Sequence, residues 1–279
     1  MEWDSCCMEQ IRPAAVAGMF YPSAPGELAA DLRAYLGEAV TPPVAGTSWP
    51  KALIVPHAGY LYSGAIAASA YARLAAGRSA IRRVVLLGPA HRVPVRGLAL
   101  PSARAFATPL GTVAVDQAAV ALALTLPQVR QSDAAHALEH ALEVQIPFLQ
   151  VMLEAFEIVP FAVGDASPEE VAQVIERLWG GTETLIVISS DLSHYHRYAE
   201  ARQLDRESVD NIIRLAPALD HEQACGATPI NGLLLCARRH GLRAALLDLR
   251  NSGDTAGDKA RVVGYASLAF MEAGRDGQR

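Results

Sequence analysis

Residues 52–60 read Ala-Leu-Ile-Val-Pro-His-Ala-Gly-Tyr, an apolar run closed by a turn residue and followed by a histidine. The pattern returns at 84–91 as Val-Val-Leu-Leu-Gly-Pro-Ala-His and at 185–194 as Leu-Ile-Val-Ile-Ser-Ser-Asp-Leu-Ser-His. Short β-branched runs bounded by turn formers predict strands buried on both faces. Similar runs at 158–163, 244–249 and 262–270 complete the set. Helical patterns lie between them at 27–36, 63–76, 136–156, 168–179, 198–215 and 229–240, with Gly241 placed as a C-terminal cap. Strand-helix alternation predicts a single α/β domain with a largely parallel central sheet flanked by helices. The stretch 97–116 breaks the rhythm. Its Ala107-Thr108-Pro109-Leu110-Gly111 predicts a hairpin at the sheet edge.

Composition narrows the function classes. The 279 residues are 51% hydrophobic and 19% charged, with mean hydropathy +0.18, so an ordered core is expected. Net charge is −5, which argues against nucleic acid as a partner. No apolar run reaches the length of a membrane span, so no membrane association is expected. Cys6, Cys7, Cys225 and Cys236 form no disulfide framework, and the acidic start, Met-Glu-Trp-Asp, is unlike a signal peptide. These features predict a cytoplasmic protein.

Ligands of open α/β sheets bind outside the carboxyl ends of the strands. Three strands there deliver His57, His91 and the pair Asp191/His194 to one edge. One histidine after a strand is commonly a loop residue; three with an aspartate point to a shared site. Cys225 precedes an apolar helix whose first turn holds Pro229. A helix N-terminus is expected to lower its thiol pKa, favouring a thiolate that binds metal or attacks an electrophile. Cys236, within the same helix, reads as a small buried hydrophobe.

Residues 136–147 read His-Ala-Leu-Glu-His-Ala-Leu-Glu-Val-Gln-Ile-Pro. Taken literally, His136, Glu139 and His140 match an inverted zinc-protease motif. The plainer reading is an amphipathic helix with Leu138, Leu142 and Ile146 turned inward. A third reading puts only His140 and Glu143 at the mouth of the site. Residues 251–259, rich in Gly and Asp, lack calcium-loop or phosphate-loop spacing and read as a solvent-exposed turn.

Seven segments in order carry a family resemblance: 12–22, 55–64, 87–91, 108–111, 139–147, 189–194 and 251–254. With them the chain resembles the Memo family, known in bacteria and archaea as AmmeMemoRadiSam system protein B. The resemblance covers 12–271, leaving tails at 1–11 and 272–279. It implies a fold like that of class III extradiol dioxygenases, and a metal site at His57, His91 and Cys225. It places Asp191 and His194 in the same pocket. Tyr60, His140 and Glu143 are the expected substrate-pocket residues. Two histidines and a thiolate depart from the usual two-histidine, one-carboxylate iron site, and make iron(II) or copper, with zinc as a third option, the expected cofactor. His194 is the expected acid/base, and Asp191 is expected to orient a ligand or bind the metal as a fourth group. The expected function is a metal-dependent, oxygenase-like redox protein acting on a small molecule. A peptide- or phosphopeptide-binding adaptor using the same pocket is the alternative, and a zinc hydrolase a third. The family name implies a radical SAM protein and an AMMECR-domain protein as partners.

Overall fold

A computed structural model describes residues 11–39 and 49–272. Cys6, Cys7 and most of both expected tails lie outside the described residues. From the start, the chain forms β1 (Ile11–Arg12), α1 (Pro25–Glu38), β2 (Ala52–Val55), α2 (Tyr60–Tyr71), β3 (Arg83–Pro89), β4 (Leu98–Leu100), β5 (Ala105–Thr108) and β6 (Gly111–Ala114). Next come α3 (Gln117–Ala123), β7 (Val129–Gln131), α4 (Asp133–Ala137), α5 (Ile146–Met152), β8 (Glu157–Val163), α6 (Pro168–Arg177) and β9 (Thr184–Ser189). The rest is β10 (His194–His196), α7 (Tyr198–Ile213), α8 (Ala227–Arg239), β11 (Leu242–Asn251), α9 (Ser252–Thr255) and β12 (Val262–Glu272).

The main sheet has nine strands in the order β10-β12-β2-β9-β3-β8-β4-β7, with β11 also on β12. Its middle, β2-β9-β3-β8, is parallel throughout. Side chains 52–55, 84–87 and 185–188 are fully buried, as strands covered on both faces require. Antiparallel strands extend this parallel core on both sides. The connection from β11 to β12 is too short for the crossover that a parallel pair needs. The sheet is flanked by helices, α1 packing on α2 and α6 on α8.

Three expectations change. The hairpin at 107–111 exists as β5-β6, but it belongs to a separate three-stranded sheet with β1. The single helix expected over 136–156 is broken into α4, a 3₁₀ turn at Glu143–Gln145 and α5. Pro147 sits at the start of α5, where its missing N–H costs nothing; inside a longer helix it would clash with the preceding turn. Leu138 is consequently 65% exposed, while Leu142 and Ile146 are buried as expected. Finally, 251–259 is not all surface turn. Asn251 is buried and caps α9, its side chain accepting from Gly253 N and its own amide donating to Asp254.

Among the described residues, no helix is long and apolar enough to cross a membrane.

Candidate metal centre

Strand order builds the site. β9 lies between β2 and β3, with Val55 opposite Ser189 and Leu87 opposite Ile188. The segments leaving these strands therefore emerge side by side, and the rings of His57 and His91 meet edge to face with centroids 5.2 Å apart. The broken segment 138–145 lies across this edge. Gly88 permits it: a Cβ there would press within 3.1–3.3 Å of Leu142, Ala141 and Ser189. His140 stacks on His91 at 4.8 Å, sits 5.3 Å from His57, and is backed by Phe20 at 4.6 Å. Each of the three imidazoles offers a nitrogen, and these atoms all lie within 4.8 Å of one another. Cys225 approaches from the start of α8. Gly226 lets it close in, since a Cβ there would fall 2.7 Å from Ser190 Cβ. The sulfur lies 3.3 Å from His57 Nε2.

Hydrogen bonds behind the rings orient them. His57 Nδ1 faces Ser189 Oγ at 2.9 Å, and its amide donates to Asp191 Oδ1 at 2.7 Å. Burial, then the neighbouring His91, hold the His57 imidazole down at about 3, so it is neutral. The Glu139 carboxylate accepts from the His91 amide at 2.6 Å, from the His91 ring at 2.9 Å and from the Ala141 amide at 2.9 Å. Burial pushes Glu139 up, but the hydrogen bonds from the His91 ring and from the His91 and Ala141 amides outweigh it and hold the carboxyl at about 2. An ionised carboxylate only accepts, so His91 Nδ1 carries the proton and Nε2 is free. His140 Nδ1 lies 3.3 Å from Glu139 Oε1 but makes no hydrogen bond among the described residues, leaving a buried ring nitrogen unpaired. Burial, then His57, lower its imidazole to about 4.

The other predicted site residues fall into three places. Asp191 is buried behind His57, and burial raises its pKa against the pull of the His57 amide. His194 sits half-exposed on β10 opposite Val263, near enough for its charge to act on His57 and Asp191. Cys225 behaves contrary to expectation: burial first, then the Asp191 charge, push its thiol up to about 12, outweighing the Gly226 amide. It stands two residues before α8, outside the first turn, so the dipole gives it little.

Two pocket expectations are corrected. Glu143 is fully buried and its four acceptor directions are taken. Arg12 forms an ion pair with it, and the amides of Ala15 and Val16 and the Tyr21 hydroxyl donate to it. It anchors the N-terminal segment and has no capacity left for a substrate. Tyr60 is buried, and its hydroxyl spends its proton on the Val144 carbonyl at 2.6 Å. His136, a ligand in the hydrolase reading, bonds through Nε2 to the Ala99 carbonyl and lies outside the histidine cluster. Helix α4 ends at Ala137, so His136, Glu139 and His140 do not share a helix face. What sequence reading missed is the central place of His140. The signal was Pro147, which breaks the helix and frees 138–145 to cross the strand ends.

The fold and cluster define a class: a mixed α/β protein whose histidines converge at the carboxyl edge of its parallel strands. The Memo-like protein family profile matches residues 12–269. The chain is 35% identical to a MEMO1 family protein of Ignicoccus hospitalis, covering 93% of this chain and 98% of that one. It is also 35% identical to a MEMO1 family protein of Aquifex aeolicus, covering 94% and 100%. The chain belongs to the Memo family. In fold it is similar to the crystal structure of an uncharacterized protein from Escherichia coli K12. That match has TM-score 0.53 and 16% identity, over 79% of this chain and 98% of that one.

Proposed function

We propose that this protein is a metal-dependent redox protein in which His57, His91 and His140 hold one iron(II) or copper ion beside Cys225. The observation that carries the reading is the convergence of three imidazole nitrogens within 4.8 Å. The donor set fits such an ion. His91 turns Nδ1 to Glu139 and keeps Nε2 for a ligand, His140 keeps a buried nitrogen without a hydrogen bond, and His57 is neutral. Imidazole suits iron, copper and zinc, and a nearby sulfur favours the softer copper. The bound ion would supply a redox-active Lewis acid at the strand edge. The protein's own groups do the remainder. Glu139 and Asp191 hold the histidines in place, Phe20 covers one side of His140, and half-exposed His194 exchanges a proton with the substrate.

The test is dioxygen uptake by full-length protein reconstituted with iron(II) or copper, over a panel of catechols and thiols. The reading expects uptake that requires the metal and is lost in His57→Ala. Metal bound without uptake for any compound would overturn the redox assignment. Partner binding that survives chelation would then favour an adaptor.

A further inference from the structure

We propose that Ser189 is a positioning residue for this centre: its hydroxyl, locked by the Ala141 carbonyl and the Gln145 amide, holds His57 as the Nδ1-protonated tautomer. Ser189, Gln145, Tyr71 and His57 are all buried, so every polar atom must be matched within the protein. Gln145 comes first. Its Nε2 lies 2.9 Å from the Pro56 carbonyl, which can only accept. Its Oε1 receives the Tyr71 hydroxyl at 2.8 Å. The amide is thereby fixed, and its second N–H points at Ser189 Oγ, 2.8 Å away.

Ser189 has one proton. The Ala141 carbonyl, 2.6 Å from Oγ, can only accept, and the Gln145 amide can only donate. The proton therefore goes to Ala141. His57 Nδ1, at 2.9 Å, meets an oxygen with nothing to give, so the ring must donate. Nε2 is left bare, facing Cys225. The opposite tautomer would set two lone pairs against each other in a buried site, or strip the Ala141 carbonyl of its donor.

The same short segment serves both rings. The Ala141 carbonyl holds Ser189 behind His57, while the Ala141 amide holds Glu139 behind His91. Residues 139–145, which the sequence offers as a helix or a hydrolase motif, thus orient two histidines and contribute a third.

The consequence for metal affinity rests on the metal-binding reading above, but the tautomer does not. Two-bond ¹H–¹⁵N spectra of the full-length, metal-free protein report it directly, with His57→Gln assigning the ring. The expected result is a protonated Nδ1 and a bare Nε2 for His57; the reverse in the wild-type protein overturns the proposal without any variant having to fold. In Ser189→Ala the Nδ1-protonated form should lose population to the Nε2 tautomer, with only the Ser189 carbonyl left as its acceptor, and cobalt(II) affinity should fall about 10–100-fold. Ser189→Thr, which keeps the hydroxyl, should restore both. An unchanged tautomer in Ser189→Ala would also overturn it. The expected tautomer with no cobalt(II) binding would overturn the metal reading alone.

Discussion

The sulfur of Cys225 lies 3.3 Å from Nε2 of His57, and the two groups differ sharply in proton demand. His57 is held neutral, with its pKa down at about 3, whereas the Cys225 thiol is pushed up to about 12 by burial and the Asp191 charge. An ion held by imidazoles alone displaces no thiol proton; one that also takes the sulfur must displace it. Calorimetric zinc titration at pH 7.5 in buffers of different ionisation enthalpy counts released protons. The wild-type protein should release about one more proton per zinc than Cys225→Ala. Equal counts would remove the sulfur from the ligand set.

Glu139→Gln tests the support of His91. The neutral amide keeps one acceptor but turns an NH₂ toward the His91 and Ala141 donors that the carboxylate now accepts. Cobalt(II) affinity should fall about 10–100-fold, and stability by about 2 kcal/mol. A change below about threefold in affinity would show that the carboxylate does not tune the ring.

Glu143 makes a contrasting case. Removing its charge leaves Arg12 buried beside Tyr21 and the amides of Ala15 and Val16 without their acceptor. Glu143→Ala should lower unfolding stability by about 3–5 kcal/mol in urea titration, as expected for a buried ion pair stripped of one partner. A loss below about 1 kcal/mol would mean that the pair is not what anchors the N-terminal segment.

Asp205 gives the protein a pH dependence away from the centre. It is 2% exposed on α7, accepts from the Ser193 amide, and burial raises its pKa from 3.8 to about 6. The folded state therefore binds the proton more tightly than the unfolded chain. This stabilisation is fully present below about pH 4 and is lost as pH rises through about 6. Asp205→Asn keeps the acceptor without the charge. It should raise stability at pH 7.5 by about 2–3 kcal/mol and flatten the profile between pH 4 and 6. A variant less stable than wild type at pH 7.5 would refute the assignment.

The parallel core was legible in the sequence because its strands are short, β-branched and stopped by turn residues: 52–55 is the observed β2, and β9 extends 185–188 by one residue each way. The placement of His57 and His91 followed from those stops. The wiring behind them did not, because it depends on contacts between residues far apart in the chain. Glu143 meets Arg12, and Gln145 meets Tyr71 and Ser189, pairings that no local period encodes. The helical period over 136–147 misled for the same reason. Glu139 and Glu143 turn to buried donors from distant parts of the chain, and Pro147 ends any continuous helix before α5. The thiol of Cys225 was misjudged because a helix N-terminus was weighed without the burial and the Asp191 carboxylate beside it.

Metal content decides the central claim. Full-length protein purified without oxygen, then analysed by inductively coupled plasma mass spectrometry, should carry about one iron or copper per chain. The His57→Ala, His91→Ala, His140→Ala triple variant should carry none. The same metal content in wild-type and triple-variant protein would contradict the account.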